Sequence, residues 1–124
     1  MSHRVSRLTG AAVSVLIAAA FAAGGMAAPA PQPVKVIARE FAYEPKEIAA
    51  RSGEIVFSVM NAGAIEHNFL IDDPAKKTVA KIAVISPGET DQVRVTLRAG
   101  SYAVYCDLPG HREAGMAAPL RVRD

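Results

Sequence analysis

Apolar residues recur along the chain in short runs, and several runs alternate apolar and polar positions with a period of two. This period is typical of strands with one buried face. The runs are also rich in valine, isoleucine and aromatic residues, which favour extended backbone. Seven strands are predicted, at residues 34–38, 54–60, 67–72, 79–85, 92–97, 101–106 and 119–124.

Turn-forming residues separate these runs. Clusters such as Ser86-Pro87-Gly88 and Pro109-Gly110 have the composition of tight turns. No segment after residue 27 has a sustained helical period. Seven or eight strands at this spacing predict an all-β fold, an antiparallel Greek-key β-sandwich.

The beginning of the chain follows a different pattern. Arg4 and Arg7 precede an apolar run at residues 11–23, and small residues follow at 25–27. This is the three-part form of a secretory signal peptide, and the run is shorter than the roughly 20 residues that span a bilayer. The predicted organisation is a signal peptide at 1–27, a proline-rich tail at 28–33 and one domain at 34–124. We therefore expect export to the periplasm without stable membrane insertion.

The distribution of charge argues against one class of partner. The chain has 14 basic and 12 acidic residues, a formal net charge of +2. Arg4 and Arg7 account for the excess, so the predicted domain is balanced. A nucleic-acid interface needs a concentration of basic residues, and we expect no binding to nucleic acid.

Cys106 is the only cysteine of the chain. Exported proteins usually pair their cysteines in disulfides, so a single one needs another explanation. It is either a small buried apolar side chain or a thiolate that binds a metal.

The loop that Cys106 begins also contains His111 and Met116, with four residues between successive members. Thiolate, imidazole and thioether form a soft donor set, which favours copper, with zinc as the chemical competitor. A second imidazole is available from His67, the one other histidine after residue 27. Two histidines, a cysteine and an axial methionine are the ligands of blue-copper electron-transfer sites. We therefore predict one type 1 copper, bound by His67, Cys106, His111 and Met116.

Three further residues are interpreted as follows. Asn68 is predicted to bridge the two ligand-bearing segments. Glu66 is interpreted as a solvated charge, and Met60 as part of the core.

These motifs resemble those of the cupredoxins, the family of small blue-copper proteins, and in particular its plastocyanin-like branch. The stretch GSYAVYCDLPGHREAGM is similar to the family's last ligand strand and loop, and NAGAIEHNFLID to its turn and His-Asn pair. The gap of four residues between Cys106 and His111 is longer than in plant plastocyanins. In this respect the loop resembles those of azurin, auracyanin and sulfocyanin-like proteins.

The resemblance implies the same four copper ligands and a surface role for His111. In the family, this histidine protrudes through an apolar patch where partners dock. Here the patch would be edged by Leu108, Pro109, Ala117 and Pro87. Tyr105 matches the position of a second electron route in plant plastocyanins, although no acidic cluster accompanies it in this sequence.

The predicted function is that of an exported electron carrier that cycles between Cu(I) and Cu(II), not an enzyme. It would act as a monomer between redox proteins such as a cytochrome or a membrane oxidoreductase. Three alternatives stay open: a periplasmic copper carrier or storage protein, a red-copper relative with an open coordination position, and a metal-free immunoglobulin-like binding module.

Overall fold

The computed structural model describes residues 10–20, 24–25 and 29–124. Residues 1–9, 21–23 and 26–27 of the predicted signal peptide, and residue 28 of the predicted proline-rich tail, therefore lie outside the described residues. Residues 10–20 are exposed and have no regular secondary structure. Among the described residues, no helix has the length and apolar character needed to cross a membrane.

The described chain forms nine strands. Each of the seven predicted strands is present, and its ends lie within two residues of those expected. The two additional strands, β2 and β3, have only 3 and 4 residues, too few to show a period in the sequence. The strands are β1 (Gln32–Arg39), β2 (Ala42–Glu44), β3 (Ile48–Arg51), β4 (Gly53–Asn61), β5 (His67–Asp72), β6 (Thr78–Ile85), β7 (Thr90–Leu97), β8 (Gly100–Tyr105) and β9 (Ala117–Arg123).

These strands form two sheets, which confirms the predicted β-sandwich. One sheet has the order β2-β1-β4-β7 and the other the order β3-β9-β8-β5-β6. Two pairs are parallel, β1 with β4 and β3 with β9, whereas an antiparallel sandwich was expected. The difference between β1 and β4 arises because β3 joins the second sheet. The next strand, β4, then returns to the first sheet and runs in the same direction as β1.

The first strand begins inside the predicted proline-rich tail. Gln32 and Pro33 pair with Ile55 and Val56 of β4. On its other side β1 pairs with β2 only from Ile37 onward, so no other described strand pairs with that edge at Pro33. A proline is tolerated there because no ladder hydrogen bond requires its missing N–H.

The core lies between the sheets and is built around three aromatic rings. Phe57 of β4 and Phe69 of β5 have ring centroids 5.6 Å apart, and Tyr43 of β2 contacts Phe69 edge-on at 5.7 Å. All three are fully buried. Burial of each such ring contributes about 1.5–3 kcal/mol, so these rings fasten β5, the strand on which His67 lies, to the opposite sheet.

Met60 shows how alternation, rather than apolar character, decides burial in β4. Ile55, Phe57, Val59 and Asn61 all point inward. Met60 therefore faces outward and is 40% exposed. The interpretation of Met60 as a core residue was wrong, because its side chain is out of phase with the buried positions.

Candidate metal centre

Three donor atoms from distant parts of the sequence meet at one end of the sandwich. Nδ1 of His67 lies 3.3 Å from Nδ1 of His111, and Sγ of Cys106 lies 3.5 Å from the same His111 nitrogen. The candidate ligand atoms of the three residues are all within 4.8 Å of one another. Two donors bound at about 2.0–2.3 Å to one ion at near-tetrahedral angles are roughly 3.3–3.8 Å apart. The spacing therefore fits one metal ion held by two nitrogens and one sulfur.

The register of β5 and β8 brings these residues together. The two strands are antiparallel, with Leu70 opposite Tyr105. His67, the first residue of β5, and Cys106, the residue after β8, consequently lie at the same end of the sheet. A separation of 39 residues in the sequence becomes a short distance across neighbouring strands.

The loop after Cys106 is closed by its own backbone. The N–H of Cys106 donates to the carbonyl oxygen of Met116 at 3.2 Å, and the N–H of Met116 donates to that of His111 at 3.0 Å. Gly110 and Gly115 have φ of 81° and 108°, which side-chain-bearing residues rarely adopt. The loop thus returns Met116, fully buried, to the core beside Cys106.

Asn68 bridges the two ligand-bearing segments, as the sequence predicted. Its side-chain oxygen accepts a hydrogen bond from the N–H of Asp107 at 2.9 Å, and its amide donates to the Asp107 carboxylate. Tyr43 donates its hydroxyl to the carbonyl oxygen of Asn68 at 2.6 Å. Burial, with the charges of Cys106 and Asp107, raises the pKa of Tyr43 far above its usual value, so the phenol keeps the proton that it donates.

Asn61 shapes the approach to His67. Its amide donates to the carbonyl oxygens of Ile65 and Ile85, both at 2.8 Å, and its side-chain oxygen accepts from the N–H of Gly63. Asn61 is fully buried, and these three contacts satisfy its side chain. The turn that leads into β5 is therefore fixed from inside the protein.

Glu40 is a contact of the site that sequence reasoning missed. Its Oε1 lies 3.1 Å from Nε2 of His67 and accepts hydrogen bonds from the N–H groups of Ala64 and Ile65. Partial desolvation opposes ionisation of this carboxyl, but the hydrogen bonds outweigh it and keep the pKa of Glu40 below its usual value. Glu66, the carboxylate next to His67 in sequence, is exposed as interpreted. No local signal identifies Glu40, which is 27 residues from His67.

His67 and His111 differ in exposure. His67 is fully buried, whereas the His111 side chain is only partly buried. The ring of Phe41 contacts the His111 ring edge-on, with centroids 5.0 Å apart. A shallow surface depression beside His111 is lined by Ala64, Ile65, Glu66, Pro87, Leu108 and Pro109. Of the four residues expected at the edge of the apolar patch, Leu108, Pro109 and Pro87 line this depression and Ala117 does not.

Tyr105 is covered rather than presented to solvent. It is 8% exposed, and its hydroxyl donates to the Asp72 carboxylate at 3.0 Å. The guanidinium carbon of Arg112 lies 4.1 Å from the centroid of its ring. A cation over the ring face is a favourable contact, so Arg112 closes the surface above Tyr105.

Comparisons with known proteins agree with this geometry. Residues 32–123 match the family described as copper binding proteins, plastocyanin/azurin family. Chloroplastic plastocyanin of Chlamydomonas reinhardtii is 35% identical over 131 residues, covering 98% of this chain and 83% of that protein. The copper-resistant cuproprotein CopI of Rubrivivax gelatinosus is 31% identical over 117 residues, covering 80% of this chain and 71% of that protein. Reduced auracyanin of Roseiflexus castenholzii superposes with a TM-score of 0.69 at 22% identity, covering 77% of this chain and 100% of that one.

The sandwich, the converging donors and the match over the described domain define a cupredoxin. The chain belongs to the plastocyanin/azurin family of copper-binding proteins. Its donor set fits the cofactor of that family, one type 1 copper.

Proposed function

We propose that this protein is an exported electron carrier whose type 1 copper is bound by His67, Cys106, His111 and Met116. The observation that carries the proposal is the convergence of two imidazole nitrogens and one thiol sulfur within 4.8 Å. Met116 is proposed as the fourth ligand because the loop hydrogen bonds return it, buried, to Cys106.

The surrounding residues favour electron transfer over catalysis. Copper, when bound, supplies a Cu(I)/Cu(II) couple that exchanges one electron. His67, Cys106 and Met116 are fully buried, and the loop backbone and the Asn68–Asp107 bridge hold them in place. Little rearrangement would then be needed between the two oxidation states, and the burial of three of the four ligands limits the access of substrates to the centre.

The electron is proposed to leave through His111. This ligand is only partly buried and borders a largely apolar depression, which suits transient docking of a redox protein. Arg112 and Asp72 cover Tyr105, so a second route on that side is not part of the proposal. The partners would be cytochromes or membrane oxidoreductases of the periplasm, and the carrier itself a monomer.

The first test is the visible and EPR spectrum of the purified protein loaded with Cu(II), beside a Cys106→Ser variant. We expect an intense blue thiolate-to-copper band with narrow hyperfine splitting, absent from the variant. An ordinary copper spectrum in the unaltered protein would contradict the proposal.

A second candidate function is copper delivery or storage. The similarity to a copper-resistant cuproprotein favours it, because in such a protein the metal itself can be the cargo. The two functions differ in how readily Cu(I) leaves. Transfer to a competing Cu(I) chelator within seconds would favour delivery, whereas retention for hours with rapid electron exchange would favour the carrier.

A further inference from the structure

The turn between β1 and β2 reaches the metal centre, although none of the four proposed ligands lies on it. Arg39 pairs with Ala42, so Glu40 and Phe41 form the tip of this hairpin. Glu40 contacts His67 and Phe41 contacts His111. We propose that Glu40 is a positioning residue that fixes the His67 imidazole and favours Cu(II) over Cu(I); this inference rests on the proposed function.

The Glu40 carboxylate is itself fixed by the protein. One oxygen, Oε1, accepts from the N–H of Ala64 at 2.8 Å and from that of Ile65 at 3.1 Å, and it lies 3.1 Å from Nε2 of His67. Movement of this carboxylate would give up two backbone hydrogen bonds and its contact with a buried imidazole together. It therefore acts as a rigid acceptor and not as a mobile surface charge.

This contact decides which nitrogen of His67 is free to bind a metal. An acceptor at Nε2 places the imidazole proton there. The lone pair then lies on Nδ1, the atom that faces His111 at 3.3 Å. Because His67 is fully buried, the surrounding protein shields its ring from solvent.

The negative charge also affects the two copper oxidation states unequally. A carboxylate bonded to a ligand histidine raises the basicity of the imidazole and stabilises the more highly charged ion. Loss of such a partner typically changes metal affinity by about 10–100-fold. We expect the affinity for Cu(II) to change more than the affinity for Cu(I), because Cu(II) carries the greater charge.

Glu40→Gln tests the charge while retaining an oxygen that can accept the same hydrogen bonds. We expect the blue band to persist and the reduction potential to rise by at least about 59 mV. This rise corresponds to a tenfold shift of the one-electron redox equilibrium. Glu44→Gln is the matched control, because Glu44 lies on the same hairpin but contacts Arg39. The control should shift the equilibrium by less than about twofold, since its exposed charge is screened. Equal shifts in the two variants, or no rise in Glu40→Gln, would overturn the proposal.

The position of the proton can be measured without copper. In the metal-free protein, nitrogen-15 NMR of the imidazoles should give the Nε2–H form for neutral His67. A predominant Nδ1–H form would overturn the positioning role. If the loaded protein lacks the blue band, the proposed function fails, but this measurement still decides whether Glu40 orients His67.

Discussion

The two candidate histidine ligands have the same chemistry but different surroundings. Their Nδ1 atoms are 3.3 Å apart. His67 begins a strand, is fully buried and has its second nitrogen bonded to Glu40. His111 belongs to an irregular loop, is partly exposed and has an edge-on contact with the aromatic ring of Phe41. One histidine is thus part of the core, and the other lies at the surface.

The segments that hold the two histidines differ in the same way. His67 depends on tertiary packing, because Phe69 and Asn61 fix β5 and the turn before it. His111 depends on hydrogen bonds within the loop, such as the one from its own N–H to the carbonyl oxygen of Leu108. If the proposed function is correct, we expect the buried side to set the stability of the site and the exposed side its exchange with partners.

Removal of each histidine should give the largest effects and the clearest contrast. His111→Gly leaves an opening at the surface, so added imidazole should restore the blue band while electron exchange with a partner slows at least tenfold. His67→Gly leaves a buried gap lined by protein, and imidazole should fail to restore the band. Visible spectra with and without imidazole measure both outcomes. Equal rescue of the two variants would contradict the assigned difference in accessibility.

The packing behind His67 can be broken without touching a ligand. Phe69→Ala removes a fully buried ring and should lower the free energy of unfolding by about 3–5 kcal/mol. Val84→Ala, on the neighbouring strand β6, is the control, because Val84 is 47% exposed and its truncation should cost less than about 0.5 kcal/mol. Denaturant unfolding of the metal-free protein compares the two. Similar losses would contradict the role of the aromatic core in holding β5.

The turn that precedes His67 should respond to a smaller change. Asn61→Ala removes the amide that donates to the buried carbonyl oxygen of Ile85 and to the partly buried one of Ile65, which should cost about 1–3 kcal/mol. Hydrogen exchange should quicken at the N–H groups of Gly63 and Ala64, while the loop around His111 keeps its protection. Loss of protection in both regions alike would show that the two segments are not held separately.

Removal of the cation above Tyr105 should have the smallest effect. Arg112→Ala loses a cation–π contact of about 0.5–1 kcal/mol and uncovers the ring. If electrons leave through His111 alone, exchange with a neutral redox reagent should change by less than about twofold. Rapid-mixing kinetics provide the measurement. A large acceleration would point to exit through Tyr105.

Much of the fold could be predicted because strand signals are local. The alternation in β9, where Ala118, Leu120 and Val122 are buried, is visible in seven consecutive residues. The ligand loop is similarly local, since Cys106, His111 and Met116 lie within eleven residues of one another. Met60 was misread because its apolar character was given more weight than its phase in the strand.

The missing parts of the site depend on residues that are distant in sequence. Tyr43, Asp107 and Arg112 are ordinary hairpin and loop residues when read along the chain. Their roles arise from contacts with Asn68 and Tyr105, which strand pairing brings into reach. Neither composition nor spacing distinguishes such contacts before the sheets are assembled.

The two glutamates near His67 separate what the sequence determined from what the tertiary structure decided. By itself, the sequence determined seven of the nine described strands, through their period, and the four candidate ligands, through their donor chemistry and order. The tertiary structure decided that the carboxylate on His67 belongs to Glu40 and that adjacent Glu66 stays exposed. The physical reason is that β1 and β4 pair in parallel, which carries the β1–β2 turn to the metal end of the sandwich. A hydrogen bond requires atoms within about 3 Å, and only the assembled sheets determine which atoms those are.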